Sequence, residues 1–298
     1  MTESELEQHA LAILNSARIR NKYVFLCEGD LSDIFANKRH SPSSLRQLEK
    51  LPDSSFYTAC LHKNIKTYNR PEFFNCGGRS DVIKVYNKLK DLCLKDQEKY
   101  FLNFEKTFVI LDLDIQIANI NSDKTTEDIY KSLYKNMSII DENILDNKIL
   151  VTGLIHKEAY FLLPRYSKLI KEYKNPLIYL RNELKLENIY TDIIKEIEDD
   201  KDLLIHLDIV KNRIDWEVES IEDIKKFFLE HCIDEDLIKK LFTIRKVKPY
   251  WEKITTLDPI DNQKLREQLE LTIANQISIN NDSNCHITAI FNKILLSE

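Results

Sequence analysis

Four short stretches of the chain are largely apolar, and branched or aromatic side chains dominate them: Tyr23-Val-Phe-Leu-Cys27, Phe73-Phe-Asn-Cys76, Thr107-Phe-Val-Ile-Leu111 and Lys148-Ile-Leu-Val-Thr152. Continuous hydrophobicity over so short a length, without polar alternation, marks strands buried on both faces. Each stretch stops abruptly: at Glu28-Gly29-Asp30, at Gly77-Gly78, at Asp112-Leu-Asp114 and at Gly153. Helical spacing fills much of the intervening chain. Leu6, Ala10, Ile13, Leu14 and Ile19 predict an amphipathic helix over 3–20, and Val82, Val85, Tyr86, Leu89, Leu92 and Cys93 predict another over 81–95, capped by Ser80. A further helix is expected over 31–38 with Asp30 as its N-cap. Strands separated by helices predict right-handed βαβ units and a parallel sheet, an α/β fold.

After Pro164 the texture changes to helical segments rich in Leu, Ile, Lys and Glu, broken at Pro176, Pro249 and Pro259. The expected organisation is therefore an N-terminal helix over 1–19, an α/β domain over 20–165 and an α-helical domain over 166–298. Within the α/β domain, 39–70 reads as an irregular insertion, with Ser41-Pro-Ser-Ser and Leu51-Pro-Asp-Ser-Ser breaking any periodicity. Loops of that length are frequently functional.

Composition narrows the function. The chain is 43% apolar and 31% charged, as a globular protein should be, and no apolar run approaches the roughly 18 residues of a membrane span. Its first residues, Met1-Thr-Glu-Ser-Glu-Leu-Glu7, are acidic and polar, unlike a secretory leader, so a cytoplasmic protein is expected. Six cysteines without a C-x-x-C pair read as free thiols. A net charge of −6 argues against a protein that coats a duplex, but not against an enzyme that grips nucleic acid locally.

The strand ends carry the candidate chemistry. Glu28 stands where ligands bind in open α/β sheets, just beyond the carboxyl end of a strand. Asp112 and Asp114 are two apart, so continued extension would point both the same way. Neighbouring carboxylates repel unless a cation lies between them, and Mg²⁺ commonly takes one or two carboxylates plus a substrate phosphate. His156-Lys157-Glu158 follows the fourth strand, where Glu158 can add to a metal shell and Lys157 can hold a phosphate. Two basic stretches suit a nucleic-acid backbone: His62 to Arg70, and Arg245-Lys246-Val-Lys248-Pro-Tyr250-Trp251, whose aromatics suit stacking on unpaired bases.

Taken in order, E-G-x-x-x-D after the first strand, G-G after the second, D-x-D after the third and an aromatic-flanked glutamate after the fourth resemble a Toprim domain. The closer similarity is to Toprim-like proteins related to the OLD-family nucleases, including those of anti-phage defence. The resemblance covers roughly residues 20–165. It implies a Toprim-like parallel sheet, a general acid/base role for Glu28, and an Mg²⁺ (or Mn²⁺) site at Asp112 and Asp114. It further implies Asp33 as the acid after the E-G turn, with Asp30 the alternative, and Glu158 as the carboxylate for a second metal. Lys157, Arg79 or Arg70 would then neutralise the phosphate of a DNA or RNA substrate. No G-x-x-x-x-G-K-[ST] is present, so any nucleotide hydrolysis would come from an ATPase or regulatory partner, and the helical C-terminal half is the natural dimerisation or partner surface. Two other readings stand beside this one. Phe108 to Gln116 resembles the first motif of haloacid-dehalogenase-type phosphatases, which would make Asp112 a nucleophile. Alternatively, a degenerate Toprim-like domain would serve as a non-catalytic sensor or partner-binding subunit.

Overall fold

The computed structural model describes residues 1–31, 52–96, 99–115, 119–120, 124–214, 219–231, 234–257, 262–280 and 285–296. In chain order its principal elements are α1 (Glu3–Leu14), β1 (Val24–Cys27), α2 (Pro52–Cys60), β2 (Glu72–Asn75), α3 (Arg79–Lys95), β3 (Thr107–Leu111), α4 (Thr126–Leu133), β4 (Tyr134–Lys135), β5 (Ser138–Ile139), α5 (Asp141–Ile144) and β6 (Ile149–Val151). There follow α6 (Lys157–Phe161), α7 (Ser167–Lys171), β7 (Leu177–Tyr179), β8 (Asn182–Glu183), α8 (Leu186–Lys195), α9 (Lys201–Val210), α10 (Ile221–Glu230), α11 (Glu235–Ile244), α12 (Lys248–Trp251), β9 (Ile254–Thr256), α13 (Asn262–Asn280) and α14 (His286–Leu296). The chain forms two compact units. One comprises 1–111, 141–151 and 274–298, the other 112–140 and 152–273. This division differs from the expected linear boundary near 165, because the last helix packs with the sheet's own elements.

The first unit holds a four-stranded parallel sheet in the order β2-β1-β3-β6. Every described position of β1, β2 and β3 is buried, which is why β1 and β3 read as nearly continuous apolar runs, while β2 buries Glu72 and Asn75 at its ends. Phe25 pairs in register with Phe73 on one side and Phe108 on the other. Their rings stack at 5.1 and 5.6 Å. Phe291 of α14 meets both Phe25 and Phe73 edge-on at 5.3 Å, and Tyr57 of α2 stacks on Phe73 at 5.9 Å. Such pairs contribute roughly 0.5–1.5 kcal/mol each beyond the area they bury. α2 lies within the stretch expected to be irregular. Phe56, Tyr57 and Cys60, at helical spacing, are buried, and that burial outweighs the Pro and Ser turn signals. α1 opens on a capping box between Thr2 and Glu5 and packs on α3, but ends at Leu14 and not near 20. α3 is capped by Gly78, so Ser80 falls inside the first turn and not at the expected cap position.

The second unit is largely helical, as expected for the C-terminal region, with α8, α10 and α11 burying apolar stripes. It also contains the antiparallel sheet β8-β7-β9 and the hairpin β4-β5, neither of which the apolar pattern announced. Both hairpins turn through pairs of positive-φ residues that are not glycine: Asn136 (49°) and Met137 (60°), Leu180 (48°) and Arg181 (71°). Among the described residues no helix is long and apolar enough to cross a membrane.

Candidate functional site

β1 and β3 are neighbours from which the chain departs in opposite directions, toward β2 and toward β6. That reversal of strand order is a topological switch point, where open α/β sheets bind ligands beyond the strand ends. The residue leaving β1 is Glu28, and the residue leaving β3 is Asp112.

Around Glu28 the backbone is tightly specified. Gly29 and Gly77 exchange both backbone hydrogen bonds, at 3.0 and 2.9 Å, tying the end of β1 to the segment after β2. A Cβ on Gly29 would lie 2.3 Å from the side-chain nitrogen of Asn75 and 2.6 Å from an Asp53 oxygen, so only glycine fits. Gly77 adopts φ +85°, the left-handed region that favours glycine. Asn75 is fully buried, and its oxygen accepts the Ser54 N–H at 3.1 Å. Arg79, the first residue of α3, donates from Nε to Glu28 at 3.4 Å. The arginine expected to face a phosphate is thus a counter-ion of the proposed acid/base group. Arg70 is half-buried just before β2, and its Nε is buried with no hydrogen-bond partner among the described residues.

In the second unit the D-x-D segment does not continue the extension of β3. The strand ends at Leu111, and Asp114 sits at φ +53°, so the common facing expected of the two aspartates from strand extension does not apply. The Asp114 N–H donates to the Ile155 carbonyl at 2.8 Å, and its carboxylate accepts the Ile115 N–H at 2.7 Å. Between them, Leu113 donates its N–H to the Thr152 hydroxyl at 3.0 Å. Lys246 lies 3.4 Å from Asp114 and 2.8 Å from Asp202. Burial alone would lower the pKa of the Lys246 ammonium, but its hydrogen bond and charge interactions with Asp202 and Asp114 raise it.

Glu158 is buried with Nδ1 of His156 at 3.0 Å and Nζ of Lys248 at 3.8 Å. The Nε2 of His156 accepts the Val247 and Lys248 N–H groups at 3.1 and 3.2 Å, which leaves Nδ1, the nitrogen facing the carboxylate, as the ring's donor. Burial would raise the Glu158 carboxyl, yet the His156 contact, with Lys157 and Lys248 beside it, holds it down at about 2. Lys157 is itself buried, 3.6 Å from Glu270. Trp251 is buried too, and its indole N–H donates to the same glutamate at 3.3 Å. Tyr250, likewise buried, donates its hydroxyl to Glu196 at 2.6 Å. Neither ring is available to stack on a base, because each fills core volume and spends its polar tip internally. Of the second basic stretch, Lys248 is more exposed than Arg245 and Lys246.

Asp33 lies outside the described residues, as does the helix that Asp30 was expected to cap. Among the described residues no three His, Cys, Asp or Glu side chains gather as a metal site. The described cysteines, 27, 60, 76, 93 and 285, are buried and form no disulfide with one another. The residues that the linear pattern did not bring forward are Asp202, Thr152, Glu270 and, above all, Arg213. They are single polar residues on helices or turns, recognisable only from what they touch. No known protein family, curated protein or solved structure matches the chain.

Proposed function

We propose that this chain is a Toprim-like, divalent-cation-dependent nuclease acting on phosphodiester bonds of DNA or RNA, related in kind to the OLD-family nucleases and serving in anti-phage defence. The observation that supports it most is the switch point: adjacent, in-register parallel strands β1 and β3 are followed directly by Glu28 and Asp112. The donor chemistry fits Mg²⁺ or Mn²⁺ in kind, since carboxylate oxygens are what these ions take. It fits in number only as a site of one or two carboxylates completed by substrate phosphate, because the described residues supply no third ligand. When bound, the cation would stabilise charge on the phosphate and on the attacking and leaving oxygens. Glu28 would move the proton of the attacking water, and Arg79, already beside it, would turn to the incoming phosphate. Asp112 and Asp114 would hold the cation.

The test is cleavage of end-labelled single- and double-stranded DNA and RNA with Mg²⁺ or Mn²⁺ added. Glu28→Gln and Asp112→Asn should each lower the rate by at least about 100-fold with unchanged melting temperature. Wild-type rates in both variants would remove the reading. Hydrolysis of phosphomonoesters alone would transfer Asp112 to the phosphatase reading.

A second reading is favoured by the counter-ions. Glu28, Asp114 and Glu158 each have a basic side chain of this chain beside them, as in a Toprim-like domain that binds a partner without catalysis. Partner binding that survives Glu28→Gln and Asp112→Asn, without metal binding by the wild type, would select it.

A further inference from the structure

Asp114 is an L-residue held in the left-handed region, a conformation that persists only where the surroundings over-determine it. Its N–H and its carboxylate have backbone partners, as described above. Its carbonyl is held by Arg213, whose Nη1 donates to Asp114 O at 2.8 Å. The same nitrogen reaches Thr243 O at 3.3 Å, an end-of-helix carbonyl in the last turn of α11. Nε of Arg213 donates to Glu127 at 2.8 Å, and the arginine side chain is wholly buried.

We infer that Arg213 is a positioning residue: it fixes the Asp112–Asp114 segment, and through it the orientation of the Asp114 carboxylate that the cation-binding role requires. This rests on the metal reading proposed above. The network around Arg213 is poorly designed for stability. Among the described residues, Nη2 of Arg213, Oε1 of Glu127 and the hydroxyl of Tyr130 are buried without a hydrogen-bond partner, the Glu127 oxygen having the Lys131 ammonium 4.0 Å away. A buried ion pair with unmet polar atoms is matched or bettered in stability by apolar side chains of the same volume. What the guanidinium supplies, and an apolar side chain cannot, is a planar fork that grips the Asp114 carbonyl and the Glu127 carboxylate at once. It acts on the cation site as residues behind metal ligands do, by orienting the ligand, and their loss typically costs about 10- to 100-fold in affinity.

Two measurements on the full chain test this. Mn²⁺ affinity is read by electron paramagnetic resonance, with a non-cleavable phosphorothioate oligonucleotide present, in wild type, Asp114→Asn, Arg213→Met, Arg213→Lys and the charge-neutral double variant Arg213→Met/Glu127→Gln. Hydrogen exchange of the Asp114 amide is followed in the same proteins. The double variant leaves no unpaired buried charge, which guards against loss of fold. The expected result is a loss of Mn²⁺ affinity of about 10-fold or more in both Arg213→Met proteins, partial recovery with lysine, and Asp114 exchange faster by a similar factor. Wild-type Mn²⁺ affinity and wild-type Asp114 exchange in the double variant would overturn the positioning role while leaving the metal reading standing. Absence of Mn²⁺ binding in the wild type would overturn the metal reading instead, and the exchange rates would then decide by themselves whether Arg213 holds the turn.

Discussion

The two units turn their backbones by different means. Among the described residues, the left-handed positions of the first are Gly77 and Asn21, residue types that accept positive φ readily. In the second they are Asp114, Asn136, Met137, Leu180 and Arg181, only two of which are Asn or Asp. Each unsuited residue in that region costs on the order of 1–2 kcal/mol, which surrounding contacts must offset. Asp is a more tolerant type, and the contacts that fix Asp114 in that region can be named. Among the described residues the first unit uses suitable types at these positions, whereas the second places Met137, Leu180 and Arg181 there and fixes Asp114 with a buried ion and hydrogen bonds. A unit of the second kind is harder to read from its sequence and more sensitive to loss of a single partner.

The sharpest way to break that contrast is to remove one compensating ion. Arg213→Met alone removes the buried partner of the Glu127 carboxylate, leaving it the largely exposed Lys131 at 4.0 Å, and should destabilise by about 3 kcal/mol in urea unfolding. The partly exposed Arg79–Glu28 pair of the first unit should be worth no more than about 1 kcal/mol to Arg79→Met. Comparable losses in the two variants would erase the distinction.

Acid should act through the second unit as well. The Glu158 carboxyl is held at about 2, against an ordinary 4.5. A depressed acid adds stability above its unfolded value, and that stability fades as the pH falls from about 4.5 toward 2. The stake is on the order of 3 kcal/mol. Glu158→Gln should therefore flatten the stability–pH curve across that window, and an unchanged slope would refute the assignment.

In the first unit the expected weak point is space, not charge. Gly29→Ala drives a methyl into Asn75 and Asp53 and should cost about 1–3 kcal/mol. Gly78→Ala, which meets nothing within 4 Å, should cost no more than about 1 kcal/mol. Equal midpoints for the two would mean that the Gly29 contacts relax.

The smallest effect should be a gain. Replacing Leu180-Arg181 by Asn-Gly suits the turn that the β7–β8 hairpin already makes and should stabilise by about 1 kcal/mol. No gain in melting temperature would mean that the Leu180 and Arg181 side chains repay their own strain.

The same contrast governs what could be read in the sequence. The parallel sheet was legible because strands buried on both faces leave continuous apolar runs, and because Glu28-Gly29 and Gly77-Gly78 punctuate their ends. α2 was not, since Pro52 and its serines look like a turn until Phe56, Tyr57 and Cys60 are known to be buried. β7, β8 and β9 are two or three residues long and carry no glycine signal. At the candidate site, Glu28 and Asp112 followed from strand-end logic. The left-handed break at Asp114 did not, because it is imposed by Ile155 and Arg213 from distant parts of the chain. Arg213 and Glu127 are 86 residues apart, a pairing that no local pattern encodes.

The sheet-bearing unit is assembled from three separate pieces of chain, the last of which carries Phe291. During synthesis, therefore, β1 and β2 emerge well before the ring that closes over them, since Phe291 follows Phe73 by 218 residues. Pairings of such long sequence separation form slowly, and until they form the apolar face is open to other nascent chains. At elongation rates of roughly 5–20 residues per second, the exposure lasts for many seconds. A chaperone that shields aromatic surface should raise the soluble yield of this chain more than that of a protein whose sheet is built from one continuous stretch.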